Sequence, residues 1–163
     1  MQEMLGNQYF LARKFRDAIP HLEAALSAEQ GSKAIRKKLI ICYIDSGLTE
    51  KAVQTFSSFL DDDIGVIAGT NIIAEDCPCL ELISEIHKNY ASSPTPDMEE
   101  LKMMLGILWL YCSPERSAKI FTELDGSRKY GELSRKAVTA INEYYATIQT
   151  TLSNQGVNLY AQT

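Results

Sequence analysis

Apolar residues recur at helical spacing along most of the chain. Near the N-terminus, Leu5, Tyr9 and Ala12 lie three or four residues apart and share one side of a predicted helix. A second apolar face follows it, formed by Phe15, Ala18, Ile19, Leu22, Ala25 and Leu26. The pattern predicts two amphipathic helices joined by a short turn.

The same pattern returns further along the chain. A shift of 34 residues brings the first sixty positions into register. The aligned pairs are Leu5 with Leu39, Tyr9 with Tyr43, Ala18 with Ala52, Leu22 with Phe56, and Ala25 with Phe59. A shift of 100 places Leu105, Gly106, Trp109 and Ala118 on Leu5, Gly6, Tyr9 and Ala18. Self-similarity at a fixed period indicates a repeat architecture.

The second repeat shows where one helix ends and the next begins. Gly47 is typical of a helix C-terminus, and Thr49 is predicted to cap the following helix. That helix presents Val53, Phe56 and Leu60 on one face. The second repeat is therefore also a helical hairpin.

The remaining segments predict further helices. Asp61–Asp63 are expected to cap one of them, Pro78 to open another, and Asp97 and Ser113 to cap two more. The predicted ranges are about 63–75, 79–90, 98–111, 114–124 and 130–152. Residues 92–97 form a linker-like stretch between them.

These residues resemble the tetratricopeptide repeat (TPR) family, which combines Leu–Gly and Tyr on a first helix with Ala and a large apolar residue on a second. The resemblance covers residues 1–60 and, with fewer matching positions, 98–125. It implies an all-α solenoid of about four helical hairpins, at about 1–30, 31–62, 63–91 and 97–125. A polar-faced helix over about 130–152 would cap this single domain, 1–153, and 154–163 would be a frayed tail.

The distribution of charge along the chain limits the classes of partner that the protein is expected to bind. Residues 61–100 carry ten carboxylates and one Lys, whereas residues 1–60 and 101–163 each have a net charge of +2. A nucleic-acid-binding protein usually presents a basic face, so nucleic acid is not an expected partner. The chain has no apolar run long enough for a membrane span, and Glu3 and Asn7 do not suit a signal peptide. We expect a soluble cytoplasmic protein without membrane insertion.

Candidate catalytic and metal-binding groups are few. Cys77 and Cys79 flank Pro78, and His87 lies two predicted helical turns downstream. A metal site needs about four ligands, so these two cysteines are interpreted as turn and core thiols. Cys42 and Cys112 are interpreted as packing residues of a reduced protein. The sequence predicts no enzyme activity, no metal and no cofactor.

The first helix of each TPR hairpin lines the concave face, and the resemblance therefore implies a peptide-binding groove. Its candidate residues are Glu3, Asn7, Phe10, Lys37, Lys38, Ile41, Asp45, Met103, Met104 and Ile107. The groove is expected to be basic near Lys33, Arg36, Lys37 and Lys38 and apolar near the two methionines. Two other interpretations are that the methionines pack against neighbouring helices and that the lysines form a solvated helix face.

Three functions are compatible with such a groove. The first is a non-catalytic adaptor that binds a peptide or helix of another protein. The second is a secretion-type chaperone that sequesters a hydrophobic segment of its partner. The third is a structural module that buries the groove, or its N-terminal edge, in a homodimer.

In the TPR subclass that clamps a C-terminal carboxylate, Lys would stand at Glu3 and Asn at Lys38. That specific function is therefore disfavoured.

Overall fold

The computed structural model describes residues 1–156, and within this range the chain is helical with no strand. Its helices are α1 (Gln2–Leu11), α2 (Phe15–Ala28), α3 (Lys33–Asp45), α4 (Thr49–Leu60), α5 (Gly65–Ala68), α6 (Cys79–Ala91), α7 (Met98–Cys112), α8 (Pro114–Thr122) and α9 (Gly131–Asn154). The predicted all-α class is confirmed. Most of the tail predicted over 154–163 lies outside the described residues.

Consecutive helices pack on one another along most of the chain. α1 packs on α2, α2 on α3 and α3 on α4, and a second run joins α6, α7, α8 and α9. Glycine lets two of these pairs approach closely: a Cβ on Gly6 would lie 2.7 Å from Leu22 Cδ2, and one on Gly106 would lie 2.6 Å from Phe121 Cε1. The small residues of the repeat therefore set the helix–helix spacing.

The end of one helix and the start of two others follow the predicted signals. Gly47 has a φ of 73°, a left-handed conformation that glycine adopts at little cost, and it terminates α3. The side chain of Asp97 accepts a hydrogen bond from the Glu100 N–H at the start of α7, and Ser113 caps α8 in the same way. Thr49 does not cap α4, because it is the first helical residue and its hydroxyl donates to a carboxylate oxygen of Glu100.

The predicted helix over about 63–75 is wrong over most of its length. Asp63 accepts a hydrogen bond from the Gly65 N–H and starts α5, but α5 ends at Ala68. Beyond Gly69, the Asn71 side chain accepts from the Ala74 N–H, and Glu75 accepts from the Asn71 N–H. These local side-chain bonds stabilise turns in place of a helix.

Helix α9 covers this irregular region. It packs on α8, α4 and α5. A Cβ on Gly65 would lie 3.4 Å from the Tyr144 ring, and one on Gly69 would lie 3.4 Å from the Tyr144 hydroxyl. Tyr144 therefore packs close to both glycines, while the tightest contact of a Cβ on Gly69 would be with the Gly65 backbone oxygen at 2.8 Å.

The cysteines differ from the sequence-based expectation. Cys79 at the start of α6 and Cys112 at the end of α7 form a disulfide, whereas Cys42 and Cys77 are free thiols. The prediction of four reduced cysteines is therefore wrong for this pair. The residues lie 33 positions apart, and only the packing of α6 on α7 brings their Cα atoms to 6.5 Å.

Candidate peptide-binding groove

A cavity of about 240 Å³ lies between α1, α3, the turns after α5, and the end of α7. We call it the α3 cavity, because α3 contributes more lining residues than any other element. Its lining residues are Phe10, Ala34, Lys37, Lys38, Ile41, Thr70, Glu75, Cys77 and Tyr111. Apolar side chains and two ammonium groups therefore face the same space.

Helix α3 positions the two lysines. Successive residues on a helix diverge by about a quarter of a turn, so Lys37 and Lys38 reach different partners from adjacent positions. Lys37 Nζ lies 2.6 Å from Glu75 Oε1. Lys38 Nζ lies 2.6 Å from Asn7 Oδ1 on α1 and 6.0 Å from the centre of the Phe10 ring. Among residues 1–156, no carboxylate forms an ion pair with Lys38.

Glu75 is a partly exposed carboxylate at one side of this cavity. Burial by itself would raise its pKa, but hydrogen bonds from the Lys37 ammonium and the Asn71 N–H, with the charges of Lys37 and Lys38, hold the pKa below its usual value. Glu75 is therefore ionised at neutral pH. The cavity therefore already contains a carboxylate beside its apolar wall.

Tyr111 closes the cavity from α7. Its hydroxyl donates a 2.6 Å hydrogen bond to the backbone oxygen of Lys37, and the residue is 1% exposed. Burial raises the pKa of Tyr111 well above its ordinary value, so the hydroxyl stays protonated and able to donate. Burial also raises the pKa of the Cys77 thiol nearby. Neither group is an activated nucleophile.

The basic cluster expected along α3 is divided between two places. Lys33 and Arg36 do not line the cavity, because both form ion pairs with Asp62 at the end of α4, at 3.3 and 2.8 Å. The Arg36 guanidinium also lies 4.5 Å from the centre of the Phe59 ring. Of the described residues, only Lys37 and Lys38 contribute positive charge to the lining of the α3 cavity.

The other predicted groove residues are distributed as follows. Phe10 and Ile41 line the cavity together with the two lysines, and Asn7 reaches it through Lys38. Glu3 and Asp45 are exposed and are not part of the lining. Burial and the charge of Glu85 raise the pKa of Asp45 against the opposing effect of Arg16.

The predicted apolar stretch on α7 is not open. Met103 and Ile107 are 0% exposed and Met104 is 2% exposed, so all three belong to the core. Helix α7 is enclosed by α6, α8, α5 and α4, which leaves little of its surface for a ligand. This corrects the expectation of a methionine-lined groove in favour of the alternative, packing against neighbouring helices.

The sequence pattern missed Thr70, Glu75 and Cys77. The pattern predicts a helix or a turn apart from the groove for them, but the early end of α5 brings their segment against α3. Gly69 and the Asn71 to Glu75 spacing were the available signals, since Gly and Asn favour turns. Tyr111 was assigned to α7 without a contact to α3, and a contact over 74 residues of sequence has no local signal.

Other classes of site have little support within residues 1–156. No group of three His, Cys, Asp or Glu side chains is placed there to hold a metal ion. Over the same residues, no helix has the length and apolar character needed to cross a membrane. We take the α3 cavity as the candidate site, because two ammonium groups and an apolar wall meet there.

The residues of α1 and α3 that line the cavity lie within a stretch of sequence that matches a known protein family. Residues 9–63 match a family model of the tetratricopeptide repeat. This stretch is a TPR segment. It contains α2, α3, α4 and the end of α1, and the predicted resemblance is confirmed there. No curated protein and no solved structure matches the chain. TPR segments in general serve as protein-interaction modules, so the TPR segment indicates a protein partner.

Proposed function

We propose that this protein is a non-catalytic adaptor that binds a peptide or helical segment of a partner protein in the α3 cavity. The observation that carries the proposal is the cavity itself, on the first-helix face of the TPR segment. Phe10 and Ile41 offer an apolar surface, and Lys38 offers an ammonium without a carboxylate partner among residues 1–156. A segment that combines an apolar side chain with a carboxylate matches both features.

A library of random peptides displayed on phage tests this proposal. We expect selection on the purified protein to enrich peptides that carry Asp or Glu beside a large apolar residue. Replacement Lys38→Met keeps an unbranched apolar side chain over Phe10 but removes the charge. It should weaken binding of the selected peptides by about tenfold or more, because a charge-assisted hydrogen bond worth about 1.5–3 kcal/mol is lost. The loss should be larger at low salt than at high salt.

The matched control is Lys119→Met on α8, a lysine whose side chain is 72% exposed and is not part of the cavity lining. It should leave peptide affinity unchanged. Failure to enrich any peptide, or equal losses in the two variants, would contradict the adaptor proposal.

Self-association is the second candidate, and exposed apolar residues on α1 favour it. Met4 and Leu11 are 57% and 58% exposed. If they form a dimer contact, light scattering should give twice the chain mass, and Met4→Asp with Leu11→Asp should return it to the monomer mass. A chaperone for hydrophobic segments has less support, because the methionines expected to receive such a segment are buried.

We propose a cytoplasmic location. Two of the four cysteines, Cys42 and Cys77, remain thiols, which suits a reducing compartment better than a secreted disulfide framework. In that compartment, cellular thiols such as glutathione would supply the two electrons and two protons that convert the Cys79–Cys112 disulfide to a dithiol. Acid-quenched thiol trapping in the native cell tests this location, since full oxidation of that pair would contradict it.

A further inference from the structure

Residues 70–77, which we call the inner segment, form part of the cavity wall although they lie outside the TPR segment. Two ion pairs attach the inner segment to the TPR segment. Glu75 contacts Lys37 Nζ at 2.6 Å, and Asp76 contacts the Arg13 guanidinium at 3.0 Å. Arg13, in the turn between α1 and α2, also lies 3.3 Å from Glu81 Oε2.

The inner segment combines ion pairs with little apolar burial. Ile73 is 93% exposed, and Asn71, Ala74 and Glu75 are also exposed, whereas Ile72 is partly buried against the core. Segments with few buried apolar contacts open at low free-energy cost. By contrast, Pro78 and Cys79, which follow it, are buried, and Cys79 is covalently attached to α7. The segment therefore has a fixed end and a weakly attached middle.

The internal geometry of the segment presents Glu75 in a defined position. Glu75 Oε2 accepts from the Asn71 N–H at 2.7 Å, which leaves Oε1 directed at Lys37. Lys38 lies on the same wall, and its charge also acts on Glu75. The cavity is thus occupied at one side by a carboxylate supplied by the chain itself.

We propose that the inner segment is a built-in competitor for the α3 cavity, and that a partner displaces it with a carboxylate that replaces the Glu75 side chain on Lys37 and Lys38. This inference rests on the proposed adaptor function. The partner segment is acidic and carries an apolar side chain that packs on Phe10 and Ile41. Its apparent affinity is reduced by the fraction of molecules in which the inner segment is closed.

The free thiol of Cys77 reports on the position of the segment without any partner. Cys77 lies in the inner segment and lines the cavity, whereas Cys42 is 0% exposed in α3 and serves as an internal control. Replacement Glu75→Gln keeps an acceptor for the Asn71 N–H but removes the charge facing Lys37. We expect alkylation of Cys77 by iodoacetamide to become about three- to tenfold faster, a change typical of losing one partly buried charged contact.

Two precautions make the labelling result specific. The alkylation rate of Cys77 in each variant is divided by the fraction of the thiol that is ionised, which is taken from that variant's own pH profile. This is necessary because Glu75 also acts on the pKa of Cys77. Labelling is carried out without reductant, and fragment spectra assign the modified cysteine. Glu115→Gln is the matched control, since Glu115 pairs with Lys119 on exposed α8 and should leave Cys77 unaffected.

A second variant removes the other ion pair that attaches the inner segment, the one between Arg13 and Asp76. Arg13→Gln removes the contacts to Asp76 and Glu81 and should raise the Cys77 rate in the same direction. Equal Cys77 rates in the parent and in both variants would overturn the proposal.

A binding experiment compares the affinities of the parent and of the variant for the acidic peptides selected from the phage library. Glu75→Gln should bind them about three- to tenfold more tightly than the parent, because the competing carboxylate is gone. Faster labelling with unchanged peptide affinity would overturn the competition and leave the adaptor function standing. If the library yields no peptide, the adaptor function and the displacement by a partner both fail, whereas the labelling still shows whether charge holds the inner segment closed.

Discussion

The close approach of α7 to α8 at Gly106 leads to a prediction with a definite sign. A Cβ added at Gly106 would lie 2.6 Å from Cε1 of Phe121 and 2.9 Å from two further atoms of that ring. The ring cannot retreat easily, because it is 1% exposed and its centre lies 5.6 Å from that of the stacked Phe56 ring. The Ser117 hydroxyl also donates 2.6 Å to the Gly106 backbone oxygen, which ties the two helices together.

Two opposing terms determine the effect of Gly106→Ala. Alanine favours the helix by about 1 kcal/mol relative to glycine. Overpacking of a dense core typically costs about 1–3 kcal/mol. Because the added methyl group meets an immobilised ring at well below contact distance, we expect the upper part of that range and a net loss of about 2 kcal/mol. For a chain of this length, that loss corresponds to a fall in Tm of roughly 4–8 °C.

Urea denaturation followed by circular dichroism measures the free energy of unfolding, and a double-mutant cycle isolates the contact. In a Phe121→Leu background the same Gly106→Ala change should be neutral or stabilising, since only the helix-propensity gain remains. The coupling between the two positions should then be about 2–3 kcal/mol. If Gly106→Ala stabilises the parent protein by about 1 kcal/mol, the close approach of the two helices is refuted.

Three further predictions concern other parts of the molecule. Ala52→Leu should lower the free energy of unfolding by about 1–3 kcal/mol, because Ala52 is 0% exposed against α3; an unchanged denaturation midpoint would contradict this packing. Reduction of the Cys79–Cys112 disulfide should lower it by about 2–4 kcal/mol, measured by urea denaturation with and without dithiothreitol, since the closed loop spans 33 residues. The pKa of Glu23 should lie below its ordinary value in an NMR titration, because hydrogen bonds from Lys51 and Tyr43 outweigh the effect of burial. A pKa that is lower in the folded state stabilises the protein at pH values above the unfolded-state pKa of about 4.3. This stabilisation is lost as the pH falls through the folded-state pKa. Glu23→Gln should therefore reduce the loss of unfolding free energy at acid pH.

The repeat itself could be predicted because its signals are local. Leu22 and Gly6 recur with their neighbours at fixed spacing, and helical periodicity determines which side chains share a face. Gly47, Asp97 and Ser113 end or start helices through contacts within a few residues, which a sequence displays directly. The helix class and the TPR resemblance over residues 9–63 follow from such signals.

Within the candidate site, α3 was predictable and the opposite wall was not. Lys37, Lys38 and Ile41 follow from the helical register of the TPR segment. Glu75 and Tyr111 come from segments 38 and 74 residues further along the chain than Lys37, and no spacing rule connects them. Their placement depends on where α5 stops and on how α7 packs across α3.

The sequence by itself determined the first two helical hairpins, their register and the pair of adjacent lysines, since each depends on interactions between residues close in the chain. The tertiary structure alone decided that Met103 is core, that Cys79 joins Cys112, and that Glu75 occupies one side of the cavity. Burial, disulfide formation and ion pairing all depend on distances between segments remote in sequence. Those distances exist only after the helices have packed.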